Sequence, residues 1–412
     1  MAGYSRFLVA ASLLVFSAAA VASDIAVRGE RIYPVSGAPI DNGVVIIRDG
    51  KIAAVGSADD VPVPDGMTVI DAAVVTPGLI DAHTVVGLAG YLNQPHDQDQ
   101  IERSEAIQPE LRAIDAYNTR EALITWLREF GVTTIHTGHG PGEIISGQTL
   151  IAKTTGDTIA EAVFVPAAMV AATLGEGALV PGDTGRLSPG SRSKAAAMLR
   201  TELLGAQTYL DKQAAADGDD DKEPPARDLR KEALADVLNG SKPLLVTVHR
   251  HHDILTALRI ASEFGIRLVL DGAAESYLVL DEIKAAGVPV IVHPSMARAS
   301  SERENQSFTT AGKLMNAGIP VAFQSGFESY VPKTRVVLFE AAQTLPHGVS
   351  FDQALAAVTI EAARILGIAD RVGSIEPGKD GDLALYDGDP FEYTSHAIGT
   401  IIEGVRVSDT VK

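Results

Sequence analysis

The middle of the chain repeats one local pattern, a helix tail followed by a glycine and a short β-rich run. The four copies are "LREFGVTTIHT", "ASEFGIRLVLDG", "IKAAGVPVIVHP" and "LMNAGIPVAFQS", and their glycines are Gly131, Gly265, Gly287 and Gly318. A glycine just past a helix end accepts the left-handed conformation that closes the helix. The runs that follow are mostly apolar and about five to six residues long, as buried parallel strands are. Helices that alternate with such strands predict an α/β fold.

The β-rich runs predict the strands of a barrel. Their ranges are 79–86, 132–137, 163–168, 244–250, 266–272, 288–293 and 319–325. These are one strand fewer than the eight of a closed (β/α) TIM-like barrel. The gap lies between Met169 and Pro243. Either one strand is hidden there or the barrel is irregular.

Both ends of the chain read as short strands separated by turn residues. The runs "GVVIIRDGKIAAVG" and "MTVIDAAVV" precede the barrel, and "GDLALYDGDP" and "AIGTIIEGVRV" follow it. Asp49-Gly50 between two β-rich runs is a hairpin signal. We therefore predict a small composite β-sandwich made of residues 23–78 and 373–412, with the barrel over residues 79–372.

The N-terminus predicts a secretory signal peptide over residues 1–22. Arg6 gives a positive flank, an apolar run extends from Phe7 to Phe16, and Ala20-Val21-Ala22 is a small-residue cleavage pattern. The alternative is a membrane anchor, which needs about 20 apolar residues. Cleavage predicts a periplasmic or secreted protein, and no later segment is apolar enough to span a bilayer.

Composition limits the partners and the metal ligands. The net charge of −19 argues against a nucleic-acid partner, which requires a basic face. The chain has no cysteine, so disulfides and thiolate ligands are excluded. A small molecule is the expected partner, and a homo-oligomer is compatible with the sequence.

Three motifs, in order along the chain, carry a resemblance to a known family. They are "TPGLIDAH" at the entry to the first barrel strand, "GVTTIHTGHG" at the second, and "GSIEPGKDGDLALYDGDP" at the return to the sandwich. Together they resemble the metal-dependent amidohydrolase superfamily, especially its imidazolonepropionase-like and Xaa-Pro dipeptidase-like branch. The resemblance implies a hydrolase of carbon–nitrogen bonds with one or two divalent metals at the mouth of the barrel.

The ligands that the resemblance implies are only partly present. The family pattern is His-x-His on strand one, Lys or Glu on strand four, His on strands five and six, and Asp on strand eight. His83 occupies the first position, but Val85 stands at the second and Gly326 at the last. His249 fits strand five, and Asp271 stands where strand six has a histidine. No strand-four ligand can be placed.

Two interpretations follow. In the first, His83, His249 and Asp271 hold one divalent cation, with zinc as the first candidate, and a fourth position stays open for water. His293 or Glu328 then handles the proton in amide hydrolysis. In the second, these are ordinary polar residues at strand ends, and the chain is a catalytically inactive relative that binds a small ligand or a partner protein.

Several neighbouring residues are weaker candidates. His251 follows strand five and is either a further metal ligand or a loop residue. Glu275 follows strand six and is either a catalytic base or a loop residue. His136 and His139 are read as loop residues or substrate contacts after strand two. Arg335, beyond the last strand, can hold a substrate carboxylate or be a surface charge. The pocket loops leave the substrate and the metal open.

Overall fold

The computed structural model describes residues 24–92, 94–179, 189–219, 221–296, 298–327 and 336–412. In chain order, the strands are β1 (Ile25–Ile32), β2 (Ile40–Arg48), β3 (Lys51–Ser57), β4 (Thr68–Pro77), β5 (Leu79–Thr84), β6 (Val132–Thr137), β7 (Ile145–Gln148), β8 (Leu150–Lys153), β9 (Val163–Val165), β10 (Val170–Thr173), β11 (Leu244–Val248), β12 (Leu268–Gly272), β13 (Val290–Val292), β14 (Val321–Phe323), β15 (Leu383–Tyr386), β16 (Ala397–Ile402) and β17 (Val405–Ser408).

The α-helices follow in the same way. They are α1 (Ala122–Glu129), α2 (Ile159–Ala162), α3 (Arg192–Asp217), α4 (Leu229–Leu238), α5 (His251–Phe264), α6 (Leu280–Ala286), α7 (Thr310–Asn316), α8 (Val337–Ala342), α9 (Phe351–Ala357) and α10 (Ile360–Leu366). Within the described ranges, no helix has the length and apolarity needed to cross a bilayer. The predicted signal peptide lies outside the described residues.

Strands from both ends of the chain form one seven-stranded sheet. Its order is β17-β16-β15-β4-β1-β2-β3, and β4 joins the two halves because it pairs with both β1 and β15. The sheet buries an apolar cluster that includes Val27, Val45, Leu385 and Ile401. The edge strand β3 meets the returning chain, since Lys51 forms an isolated bridge with Asp380.

The middle of the chain forms two mixed sheets. One has the order β14-β13-β12-β11-β10-β7, in which β10 to β14 are parallel, and the other has the order β5-β6-β8-β9. Single contacts connect them: Thr84 bridges Gly326, and the Thr149 N–H donates to the Met169 carbonyl at 2.9 Å. The result is a TIM-barrel-like α/β arrangement without a continuous ladder around it.

The predicted strand list needs two corrections. The strand predicted at 163–168 is the short β9, an edge strand that pairs antiparallel with β8 and so has no parallel neighbour in its sheet. The missing parallel strand is β10, which pairs with β11 in register from Val170 to Thr173. The reason is that β7 and β8 run antiparallel to their neighbours β10 and β6 and occupy the place of a regular strand.

The four repeat glycines close helices, as the sequence predicts. Gly265 and Gly287 are the left-handed C-caps of α5 and α6, with φ of 65° and 64°. Gly131 and Gly318 also have positive φ, 85° and 79°. Each helix therefore ends where the chain must turn, so that the next strand begins beside the strand that precedes the helix.

A buried cluster of charges ties the barrel-like part to the outer sheet. Lys153 at the end of β8 is only 2% exposed and donates to Asp380 at 2.9 Å and to Asp382. Arg371 donates to the same Asp380 carboxylate at 2.8 Å, and Lys51 also pairs with it. Burial alone would raise the pKa of Asp380, but these cations hold it below its ordinary value. The two parts of the chain are thus joined by compensated rather than isolated charges.

We predict that Lys153→Met lowers the free energy of unfolding by about 3–5 kcal/mol, because it leaves the buried Asp382 without its cation. Arg120→Met is the matched control, since its pair with Asp157 is about 70% exposed on both sides, and we expect a loss below about 1 kcal/mol. Denaturant titration measures both.

The same cluster predicts a dependence on pH. Since the folded-state pKa of Asp380 is lowered, its stabilisation is fully present above the unfolded carboxylate pKa of about 3.9. It is lost as the pH falls from there through the lower folded-state pKa. The difference between wild type and Lys153→Met should therefore shrink below about pH 4. A difference that stays constant over this range would contradict the ion-pair explanation.

Candidate active site

Four of the sequence-predicted residues come together in one pocket. His83 lies in β5 and Asp271 in β12, while His249 and His293 directly follow β11 and β13. All four line a cavity of about 40 Å³. Because the carboxyl ends of β5 and of β11 to β13 point to the same end of the barrel-like part, residues distant in sequence meet there. This volume holds a few water molecules, so it accommodates a reacting group rather than a whole substrate.

Asp271 is the hydrogen-bonding centre of the pocket. Its Oδ1 lies 3.1 Å from His83 Nδ1 and accepts from Gln324 Nε2 at 2.7 Å, while its Oδ2 accepts from the Thr247 hydroxyl. The side chain is buried, with about 3% of the residue exposed. Burial by itself would raise the pKa of Asp271, but His83 and these donors hold it below its ordinary value. The carboxylate is therefore ionised and largely satisfied by protein donors.

His83 is oriented by that carboxylate. Burial would lower the pKa of His83, but the neighbouring charge of Asp271 raises it above its ordinary value. An ionised Asp271 accepts a hydrogen bond, so the Nδ1 of His83 carries the proton. Its Nε2 is buried and has no hydrogen-bond partner among the described residues. One ring nitrogen is thus fixed, and the other is free for chemistry.

His249 and His293 are neutral imidazoles beside this pair. Burial lowers the pKa of His249 to about 3 and that of His293 to about 4. His293 Nδ1 lies 3.2 Å from the Pro294 carbonyl, which fixes the proton on Nδ1 and leaves Nε2 as an acceptor. His249 Nδ1 and His293 Nε2 have no hydrogen-bond partner in the described parts of the chain.

The arrangement does not fit a three-ligand metal centre. Within the described ranges, no group of three histidine, aspartate or glutamate side chains could hold a metal ion. Asp271 is the predicted carboxylate ligand, but both of its oxygens already accept hydrogen bonds from protein donors, three in all. Position 85 is a buried valine, and position 326 is a glycine.

The weaker candidates lie away from the cavity or outside the described residues. His251 Nδ1 bonds Glu275 at 2.8 Å, and neither residue lines the cavity. His136 is not a loop residue, as one reading of the sequence has it: it lies within β6, fully buried, with Nδ1 on the Ala82 carbonyl and Nε2 on the Thr149 hydroxyl, both at 2.6 Å. Glu328 and Arg335 lie outside the described residues.

Sequence reasoning missed three residues that shape the pocket. Thr247 and Gln324 bond Asp271 across the barrel-like interior, and Arg303 borders the cavity from the segment after β13. Thr247 shares a strand face with His249, which gave a signal for it. Nothing in the local pattern marks Gln324 or Arg303, since their roles depend on contacts between distant segments.

The comparisons define the class of protein. Residues 105–408 match the model of the amidohydrolase family, so the chain belongs to that family. This confirms the family that the three motifs predict, and it supports a hydrolase that acts on carbon–nitrogen bonds. Members of the family generally bind a divalent metal, and in that respect the donor arrangement of this chain differs from the general pattern.

Individual relatives are similar along most of the chain. An imidazolonepropionase of Porphyromonas gingivalis is 24% identical over 387 residues, covering 86% of this chain and 85% of the relative. An imidazolonepropionase of Solibacter usitatus is 28% identical over 389 residues, covering 87% of this chain and 88% of the relative.

Solved structures share the fold. An amidohydrolase from Thermotoga maritima superposes with a TM-score of 0.88 at 27% identity, covering 94% of this chain and 100% of that one. An adenosine deaminase from Xanthomonas campestris with bound zinc has a TM-score of 0.53 at 17% identity, covering 93% of this chain and 92% of that one. The second likeness supports the fold alone.

Gly272 gives a test of how closely the pocket is packed. It has a φ of +78°, and a Cβ there would lie 2.5 Å from His249 Cε1. We predict that Gly272→Ala costs about 2–4 kcal/mol of stability and displaces the His249 ring, because backbone strain and overlap add. Thermal unfolding and the NMR shifts of the His249 imidazole measure the two effects.

Gly265→Ala is the matched control. Its φ is +65°, but no atom lies within 4 Å of the added Cβ, so we expect about 1 kcal/mol from strain alone and an unchanged His249. Equal losses for the two variants would show that Gly272 is required for its backbone angle only.

Proposed function

We propose that this protein hydrolyses a carbon–nitrogen bond in small cyclic or dipeptide-like amides at the pocket of His83, His249, Asp271 and His293. The observation that carries the proposal is the buried Asp271–His83 pair in an amidohydrolase-family chain. This pair leaves His83 Nε2 in the cavity without a hydrogen-bond partner among the described residues. A carboxylate behind one imidazole nitrogen is a general way to prepare the other as a base.

The proposed reaction uses the side chains that the pocket contains. His83 Nε2 takes a proton from water while the water oxygen bonds to the amide carbon, and Asp271 stabilises the imidazolium that forms. His83 then gives the proton to the departing nitrogen as the C–N bond breaks. His293 Nε2, the acceptor end of a neutral ring, orients the water, in keeping with its sequence-based role in proton handling.

The matched histidine–aspartate pairs of this chain test the proposal. We predict that His83→Gln or Asp271→Asn lowers kcat for amide hydrolysis by about 10²–10⁴-fold, since the base or its orientation is lost. His396 and Asp387 form a similar pair at 2.8 Å that is about half exposed on the outer sheet. His396→Gln should leave kcat unchanged.

The assay uses imidazolone propionate, suggested by the relatives' names, and a panel of dipeptides. Turnover by wild type that persists in His83→Gln would exclude His83 as the base. Absence of turnover with measurable binding would favour the second candidate, a catalytically inactive relative that binds a small ligand or a partner protein. The replaced positions Val85 and Gly326 favour that candidate.

The sequence also predicts a divalent cation, zinc first, on His83, His249 and Asp271. Because Asp271 is already satisfied by three donors, we expect well below one ion per chain in untagged protein incubated with zinc and then dialysed. Elemental analysis measures this. Close to one ion per chain, lost in His83→Ala and in His249→Ala, would restore the single-metal site and its metal-bound water as nucleophile.

We also propose that the protein is exported. The support is the N-terminal pattern of Arg6, the apolar run and Ala20-Val21-Ala22. The mature protein recovered from its producing cell should begin near residue 23. An intact N-terminus on protein from the cytosolic fraction would contradict export.

A further inference from the structure

We propose that Arg303 binds a carboxylate of the substrate at the mouth of the pocket, so that the preferred substrates are small amides bearing a free carboxylate. The assignment rests on the proposed function and names the substrate class of the same site. Arg303 lines the cavity together with His249 and His293. It is a residue that the motifs of the sequence do not mark.

The guanidinium of Arg303 has no hydrogen-bond or ion-pair partner among the residues that the structure describes. Although the residue is partly buried, no carboxylate pairs with it in the described parts of the chain. The neighbouring arginines behave differently: Arg250 pairs with Glu275 and Glu304, and Arg192 pairs with Asp253. Arginine supplies several donors in a planar fork that matches a carboxylate. A partly desolvated, unpaired guanidinium beside the pocket is therefore available to an anionic ligand.

The segment that carries Arg303 is held in place on both sides. The Glu302 carboxylate accepts from the backbone N–H groups of Glu176 and Gly177, at 2.9 and 3.2 Å. On the other side, Glu304 accepts from Arg250 at 2.9 Å, and Asn305 donates to Glu275 at 2.8 Å. Because these contacts reach three other loops, the backbone that carries Arg303 is positioned before a ligand arrives, which reduces the entropic cost of binding.

The volume of the cavity and the charges of its lining residues both favour an anionic group of the substrate beside Arg303. The cavity of about 40 Å³ takes the reacting group, so the rest of a substrate must extend past the lining residues, of which the partly exposed Arg303 is one. Within the pocket, the Asp271 carboxylate is already bonded to His83, Thr247 and Gln324. The Arg303 guanidinium, in contrast, is a lining cation that no carboxylate of the described residues pairs with. Since the whole chain carries a net charge of −19, a local cation is needed to attract an anionic substrate.

Kinetics with paired substrates test the assignment. The pairs are alanyl-proline with its C-terminal carboxamide, and imidazolone propionate with its carboxamide. We predict that Arg303→Ala raises KM for the carboxylate members about 10- to 100-fold, with a smaller change in kcat, because a charge-assisted contact is lost. The carboxamides should be unaffected, and Arg303→Lys should restore part of the affinity. Arg259→Ala, an arginine on the outer helix α5, is the control that should change neither.

Calorimetric binding of the same compounds separates this assignment from the proposed reaction. Binding of the carboxylate members that weakens about 10- to 100-fold in Arg303→Ala supports Arg303 even where no turnover occurs, and then only the hydrolase proposal fails. Equal KM and Kd values for carboxylate and carboxamide in wild type, or equal losses for both in Arg303→Ala, would overturn the role of Arg303 while leaving hydrolysis intact.

Discussion

The Asp271 carboxylate is the constraint around which the pocket is built. It is almost fully buried, and a buried charge is tolerated only where donors compensate its lost hydration. The donors come from β5 through His83, from β11 through Thr247 and from the end of β14 through Gln324. One side chain thus links strands that are far apart in the sequence, and it sets which nitrogen of His83 remains free.

The sequence predicted the repeating part of the fold because its signals are local. A glycine after each helix and an apolar run after each glycine can be read without knowing the rest of the molecule, and Gly265 and Gly287 are in the conformation that this pattern requires. The strand β10 was missed because "VAAT" is short and has no such glycine before it. The antiparallel course of β7 and β8 depends on pairing between distant segments, which no local pattern records.

The same division separates the predicted from the unpredicted parts of the site. The motif placed His83, and strand periodicity placed His249, so both could be assigned to one end of the barrel-like part. Asp271 was predicted as a metal ligand at the position where strand six of the family has a histidine, but its contacts with Thr247 and Gln324 were not predictable. Those contacts change the role that Asp271 can have. A carboxylate whose oxygens accept hydrogen bonds from the protein is a poorer candidate for a metal ligand than one without such donors.

The chain therefore keeps the fold of the amidohydrolase family while its pocket departs from the family's usual ligands. Fold and function separate in this way because chemistry depends on a few side chains, while the fold depends on many. The most direct measurement is a crystal structure of the protein grown in excess zinc. Our account predicts direct contact between His83 Nδ1 and Asp271 Oδ1, with Thr247 and Gln324 still bonded to the carboxylate. A zinc ion bound by His83, His249 and Asp271 would contradict it.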